Sequence, residues 1–270
     1  MSEPTQSSDR QACSPWECFV IAVQFLTRVS IFRQRQLSSD QYRLALRRSV
    51  LFFPIVGGFV GLFTAVTFAT LLLAGVPALV SALVAVGFEA LLTGAFHEDA
   101  FADTCDALGG GWTRDQVLEI MKDSRLGTYG TIALVAGVGA RAAAIAAMGE
   151  TDIRWSIVAI VAAAAIGRIA IVVMMATTSP IDDRASQARD VAGSQTLKTV
   201  IAATLASLPF WSAWLMLSPS CAAASMLVSA ITLTWFRRKI MRRIGGTTGD
   251  LLGASGFLIQ LVVTIGATAR

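Results

Sequence analysis

The chain has 270 residues, of which 54% are hydrophobic and only 15% charged, with a net charge of +4 and a mean hydropathy of +0.64. Soluble domains carry about 25% charged residues, so this composition excludes a soluble globular enzyme and points to an all-α, polytopic membrane protein. The basic surplus reads as membrane topology beside anionic lipid, not as nucleic-acid binding.

The first fifteen residues are polar and lack the apolar stretch of a signal peptide. Over 16–32, Trp16, Phe19, Val20, Val23 and Leu26 recur at helical spacing but are interrupted by Glu17, Gln24 and Arg28. That pattern predicts an interfacial or re-entrant helix rather than a crossing. Seven apolar runs follow, at 49–74, 76–96, 128–148, 153–177, 199–217, 220–236 and 251–267, close to the roughly 17–25 residues that a spanning helix needs. Within the first run, Gly57 and Gly61 carry the small-residue spacing of close helix packing.

Orientation follows from the basic residues. With a cytoplasmic N-terminus, the cytoplasmic parts 1–48, 97–127, 178–198 and 237–250 hold 7, 3, 3 and 5 of the 22 Lys and Arg. Arg141 and Arg168 lie inside spans, leaving Arg154 and Arg270 outside. The four cysteines contain no CxxC pair and imply neither a disulfide framework nor a zinc site. No soluble domain separates from the rest, so 1–270 reads as one membrane-embedded unit.

Seven of the eighteen acidic residues fall between His97 and Asp123, between the second and third spans. Asp99, Asp103 and Asp106 stand at i, i+4 and i+7, on one face of a helix. Three ionised carboxylates side by side repel one another unless a cation sits among them. Hard divalent cations take carboxylate oxygen, and Mg²⁺ completes its shell with substrate phosphates. Asp99 and Asp106 are two turns apart, about 10 Å, which suits two metals, or one metal with a general base, better than a single ion. After Gly109-Gly110-Gly111, Thr113 and Gln116 form a capping box that starts a second helix, ending near Lys122, Asp123 and Arg125. The loop 97–127 therefore reads as an acidic helical hairpin at the cytoplasmic surface.

A second polar cluster precedes the last span. Gly245-Gly246-Thr247-Thr248-Gly249-Asp250 is a glycine-rich turn leading into a helix N-terminus, where backbone N–H groups meet phosphate. Asp250 either joins that site or caps the helix. His97, the only histidine, reads equally as a base or ligand and as a surface cap on the second span. Glu89 and Arg168, at similar nominal depth, are expected to pair and to line or brace a pocket open to the cytoplasm, with Arg141, nearer the outer boundary, either snorkelling or packing structurally.

These residues resemble a known family. The stretch Leu92 to Leu134, with Phe25-Leu26-Thr27-Arg28, Phe53-Pro54-Ile55-Val56-Gly57-Gly58, Thr248-Gly249-Asp250 and Gly253-Ala254, is similar to adenosylcobinamide-GDP ribazoletransferases, also called cobalamin-5′-phosphate synthases. The resemblance covers most of the chain. It implies a Mg²⁺-dependent transferase of the bacterial inner membrane that joins adenosylcobinamide-GDP to α-ribazole or its 5′-phosphate and releases GMP. The aspartates matching the family pattern are Asp99, Asp103, Asp106, Asp123 and Asp250. The expected roles follow: Asp99, Asp103 and Asp106 hold metal, one of them or Asp123 acts as base, and Lys122, Arg125, Arg168, Thr248, Gly249 and Asp250 bind phosphate. Where the family has glycine after its first and third aspartates, this chain has Ala100 and Ala107, whose methyl groups are expected to crowd the substrate. Two other classes rank lower. A CDP-alcohol phosphatidyltransferase would show Ala-Arg after its second aspartate, and a transporter would place its ligands at the bilayer midplane. Small-residue packing is compatible with a homo-oligomer without determining one.

Overall fold

The computed structural model describes residues 13–30, 38–123, 125–181 and 195–270. Parts of the expected N-terminal segment and of the 178–198 connection therefore lie outside the described residues. Twelve α-helices and no named strand occur among the described residues. They are α1 (Pro15–Leu26), α2 (Ser39–Ser49), α3 (Phe53–Leu73), α4 (Ala78–Thr93), α5 (Phe96–Gly110), α6 (Arg114–Ile120), α7 (Thr128–Thr151), α8 (Ile153–Thr177), α9 (Leu197–Ala206), α10 (Leu208–Leu217), α11 (Pro219–Arg243) and α12 (Gly249–Gly266).

Five helices among the described residues are long and apolar enough to cross a membrane, or seven if each of two bent pairs is one span. The seven apolar runs thus correspond to helices, but two are not straight. The run 199–217 breaks at Ser207 into α9 and α10, bent by 70°. Pro209, in the first turn of α10, lacks the N–H that would continue the ladder. The run 76–96 ends early, because α4 stops at Thr93 and α5 leaves at 92° to it. α1 has 12 residues, about 18 Å at 1.5 Å per residue, too short to cross. Its buried side, which includes Ile21, Ala22 and Leu26, joins the same core as Leu46, Val50 and Phe53.

α8 is the most enclosed of the crossing helices and packs against α3 and α12. The α3 contact depends on the glycine pair. A Cβ at Gly57 would come within 2.7 Å of the Ala164 carbonyl, and one at Gly61 within 2.7 Å of the Ala164 methyl. Helix packing is thus what that spacing encodes.

The elbow between α4 and α5 orients the acidic segment. Gly94 (φ 70°) and Ala95 (φ 55°) are both left-handed, a conformation that costs an alanine about 1–2 kcal/mol. Hydrogen bonds hold it: the Ala95 N–H donates to Ala90 O (2.6 Å), and the Arg28 N–H, just past α1, donates to Leu92 O (2.8 Å). α5 then runs beside the N-terminal halves of α7 and α12, and its aspartates lie off the crossing direction. On the same side, Ser179 and Ile181 hydrogen-bond Thr247 and stitch the end of α8 to the glycine-rich turn.

Candidate active site

α5 continues through Gly109 and Gly110 and is capped at Gly111, so the helix ends two residues into the glycine run rather than before it. α6 begins at the expected capping box, in which the Gln116 N–H donates to Thr113 Oγ1 (3.3 Å) and the Thr113 N–H to Gln116 Oε1 (3.2 Å). On α5, Asp99 is exposed, Asp103 half-buried and Asp106 almost enclosed.

The three aspartates do different things. Both carboxylate oxygens of Asp106 accept backbone N–H groups, from Gly127 and Gly130, each at 2.8 Å. A carboxylate against those first-turn amides caps α7 and complements its dipole. Asp106 thereby fixes the end of α5 to the start of α7. Asp103 has no such compensation. Burial first, and then the charges of Asp99, Asp250 and Asp106, push its carboxyl up to about 6. Asp250 therefore belongs electrostatically to the α5 group. It is not the cap of α12, because Thr248 accepts the Leu251 N–H in that role (3.4 Å). The N-terminal turn of α12, with Thr248, Gly249 and Asp250, thus adjoins the α5 aspartates, as the shared topology of the two loops suggested.

Asp123 and Arg125 form a second group. Arg125 donates to Asp123 at 2.9 Å (Nε to Oδ1) and 2.6 Å (Nη2 to Oδ2), and hydrogen bonds from Arg125 hold the Asp123 carboxyl down to about 2. Both residues line a cleft of about 460 Å³ with Asp106, Tyr129 and Gly127. Lys122 is exposed on the turn after α6, beside this pair.

Arg168 is not part of either group. It is 1% exposed inside the bundle and donates to Gln260 Oε1 (2.6 Å) and Ala164 O (3.3 Å). Gln260 in turn donates to Glu89 Oε1 (2.9 Å), and Glu89 Oε2 accepts from Thr64 (2.8 Å) and from Arg141. The expected pairing of Glu89 with Arg168 is therefore indirect, through Gln260, and the residues are enclosed rather than open to the cytoplasm. Of the two readings for Arg141, structural packing holds and snorkelling does not: at 1% exposure it is the direct ionic partner of Glu89. Sequence reasoning missed Gln260, although it is the one glutamine within the apolar run 251–267.

His97 is not a surface cap either. It is 2% exposed, packed against Phe96 and Gly256, and neither ring nitrogen has a partner. Glu98 is also buried, with Oε2 unpartnered. The expectation for Ala100 and Ala107 is overturned as well. Ala107 is fully buried in the core, and the Ala100 methyl lies 2.7 Å from where a Cβ on Gly253 would stand. Both methyl groups face protein, and Gly253 accommodates the first of them.

Among the described residues no three His, Cys, Asp or Glu side chains converge closely enough to hold an ion by themselves. The donor set still fits Mg²⁺ in its usual mode, with one or two carboxylates and substrate phosphate oxygens completing the shell.

The sequence profile of a family described as cobalamin-5-phosphate synthase matches residues 18–268. An adenosylcobinamide-GDP ribazoletransferase of Rhizobium etli is 40% identical over 244 residues, covering 89% of this chain and 92% of its own length. Proteins of the same name from Bradyrhizobium diazoefficiens and Shewanella sp. are 34% and 33% identical, covering 92% and 91% of this chain and the same shares of their own lengths. No solved structure matches the chain. On this similarity, and with the apolar helices and the acidic α5 segment in place, the chain belongs to the cobalamin-5-phosphate synthase family, transferases of cobalamin synthesis.

Proposed function

We propose that this protein joins adenosylcobinamide-GDP to α-ribazole or α-ribazole 5′-phosphate, releases GMP, and does so with Mg²⁺ at the cytoplasmic face of a bacterial inner membrane. The observation that carries this reading is the crowding of carboxylates at Asp103, which lies among Asp99, Asp106 and Asp250 beside the N-terminal turn of α12. A divalent cation would offset these carboxylates, and the substrate pyrophosphate would complete its shell from the other side.

In the reaction, a ribazole hydroxyl attacks the phosphorus on the cobinamide side. One O–P bond forms, the bond to the bridging oxygen breaks, and GMP departs with the electron pair. Bound Mg²⁺ would neutralise charge on the pyrophosphate oxygens as the leaving phosphate develops. Asp103, flanked by Asp99 and Asp250, supplies ligand oxygens. Asp106 instead positions α5 against α7, since both its oxygens already accept N–H groups. The hydroxyl proton passes to a carboxylate of the α5 and α12 group. Asp123 is a poor acceptor near neutrality because Arg125 holds it at about 2. Lys122 and Arg125 meet the outer phosphate, and the N–H groups of Gly249 and Asp250 face phosphate at the α12 terminus. Arg168 braces α8 against α12 through Gln260.

The test is GMP release by purified protein in liposomes, given adenosylcobinamide-GDP and α-ribazole phosphate, with Mg²⁺ and then with chelator. Metal-dependent GMP release matched by a cobamide product is expected, falling roughly a hundredfold or more in Asp103→Asn. Folded protein that releases no GMP would contradict the assignment.

A further inference from the structure

α11 changes character along one face. Leu227, Ile231 and Trp235 recur every four residues and are strongly exposed. The same stripe continues into Arg238, Lys239 and Arg242, and the whole helix contains no acidic residue. From Ile231 to Arg242 is about 16 Å along the axis. The lower part of the stripe forms an open groove of about 650 Å³, lined by Ile231, Thr234, Trp235, Arg238, Lys239 and Arg242 among others, with no acidic lining residue among those described.

Neighbouring cations on α11 already have structural work. Arg237 donates to Thr177 O (2.7 Å) at the end of α8, and Arg243 donates to Trp112 O (3.0 Å) and Gly111 O (3.3 Å), which follow α5. These contacts anchor the helix and leave the stripe facing outward. Lys239 lies 5.2 Å over the Trp235 ring, at the step from apolar to basic. An exposed aliphatic stripe, a tryptophan at its border and a cation cluster beyond it match the three layers of a phospholipid: chains, interface and headgroup.

We propose that this groove binds an anionic phospholipid, its phosphate held by Arg238, Lys239 and Arg242 and its acyl chains lying along Leu227 and Ile231. A zwitterionic lipid would satisfy the stripe but place its own ammonium among three cations. The groove reaches the α5–α6 turn through Arg243, so the lipid seats against the acidic segment without entering it.

Native mass spectrometry of the full chain in detergent tests this, with phosphatidylglycerol and phosphatidylcholine of identical acyl chains as probes. The wild type should retain phosphatidylglycerol preferentially, and raised salt should erode the preference. Changing Arg238→Gln, Lys239→Gln and Arg242→Gln together should weaken phosphatidylglycerol retention roughly a hundredfold and leave phosphatidylcholine retention unchanged. The selectivity of the wild type decides the matter even if that variant folds poorly. Equal retention of the two lipids overturns the proposal. Displacement of phosphatidylglycerol by GMP or inorganic phosphate would give the cations to a nucleotide, and a lipid-free dimer that buries the groove would give them to a second copy; either result overturns it too.

Discussion

Two charged regions of this molecule lie ten residues apart in sequence, Glu89 from Asp99 and Asp250 from Gln260, and are built on opposite principles. In the buried network, Glu89 has Arg141, Gln260 and Thr64 around it, and Arg168 is tied to the same glutamine. On α5 and α12, burial first and then the charges of Asp99, Asp250 and Asp106 push Asp103 up to about 6. In the first region the Glu89 carboxylate is fully partnered and the network ties five helices together; in the second, like charges gather around Asp103. Burial alone therefore does not mark function here.

The largest expected effect breaks the compensated region. Arg141→Met leaves Glu89 ionised and buried without its ionic partner, a loss of about 3–5 kcal/mol. Such a variant should be recovered from detergent mainly as aggregate on size exclusion. Adding Glu89→Gln should restore much of the folded fraction, because it removes the stranded charge.

Next comes the contact that places α5 on α12. Gly253→Ala should lower stability by about 1–3 kcal/mol, since its Cβ would meet the Ala100 methyl at 2.7 Å. Ala100→Gly should reverse much of that loss in the double variant, as read by thermal melts.

A smaller effect separates two aspartates that a helical wheel makes equivalent. Asp106→Ala should cost about 1–2 kcal/mol through loss of the α7 cap, whereas Asp103→Asn should raise the melting temperature of metal-free protein. The pH dependence has the same origin. A carboxyl whose folded value, about 6, exceeds its ordinary value of 3.8 binds its proton more tightly in the folded state. Metal-free stability should therefore fall as pH rises from about 4 to 6, and Asp103→Asn should flatten that slope.

Much of this was legible in the sequence. The i, i+4, i+7 aspartates, the Thr113–Gln116 capping box and the glycine pair on α3 are local patterns whose spacing fixes their geometry. The partners of Glu89 were not legible. Depth counted at 1.5 Å per residue from a loop boundary paired it with Arg168 and sent Arg141 to the far side. That reckoning assumes that chains turn at the membrane surface. Here α4 ends at the left-handed Gly94–Ala95 elbow and the chain stays enclosed afterwards, as the burial of His97 and Glu98 shows. The division of labour among the three aspartates was equally hidden, because Asp106 is claimed by backbone N–H groups more than twenty residues downstream.

The most direct test of the contrast is the melting temperature of purified protein titrated with Mg²⁺ at neutral pH, for wild type, Asp103→Asn and Asp106→Asn. If the carboxylates crowded at Asp103 form the cation site, Mg²⁺ should stabilise the wild type and Asp106→Asn in a saturable way and leave Asp103→Asn almost unchanged. An equal rise in all three proteins, or no rise in the wild type, would contradict the account.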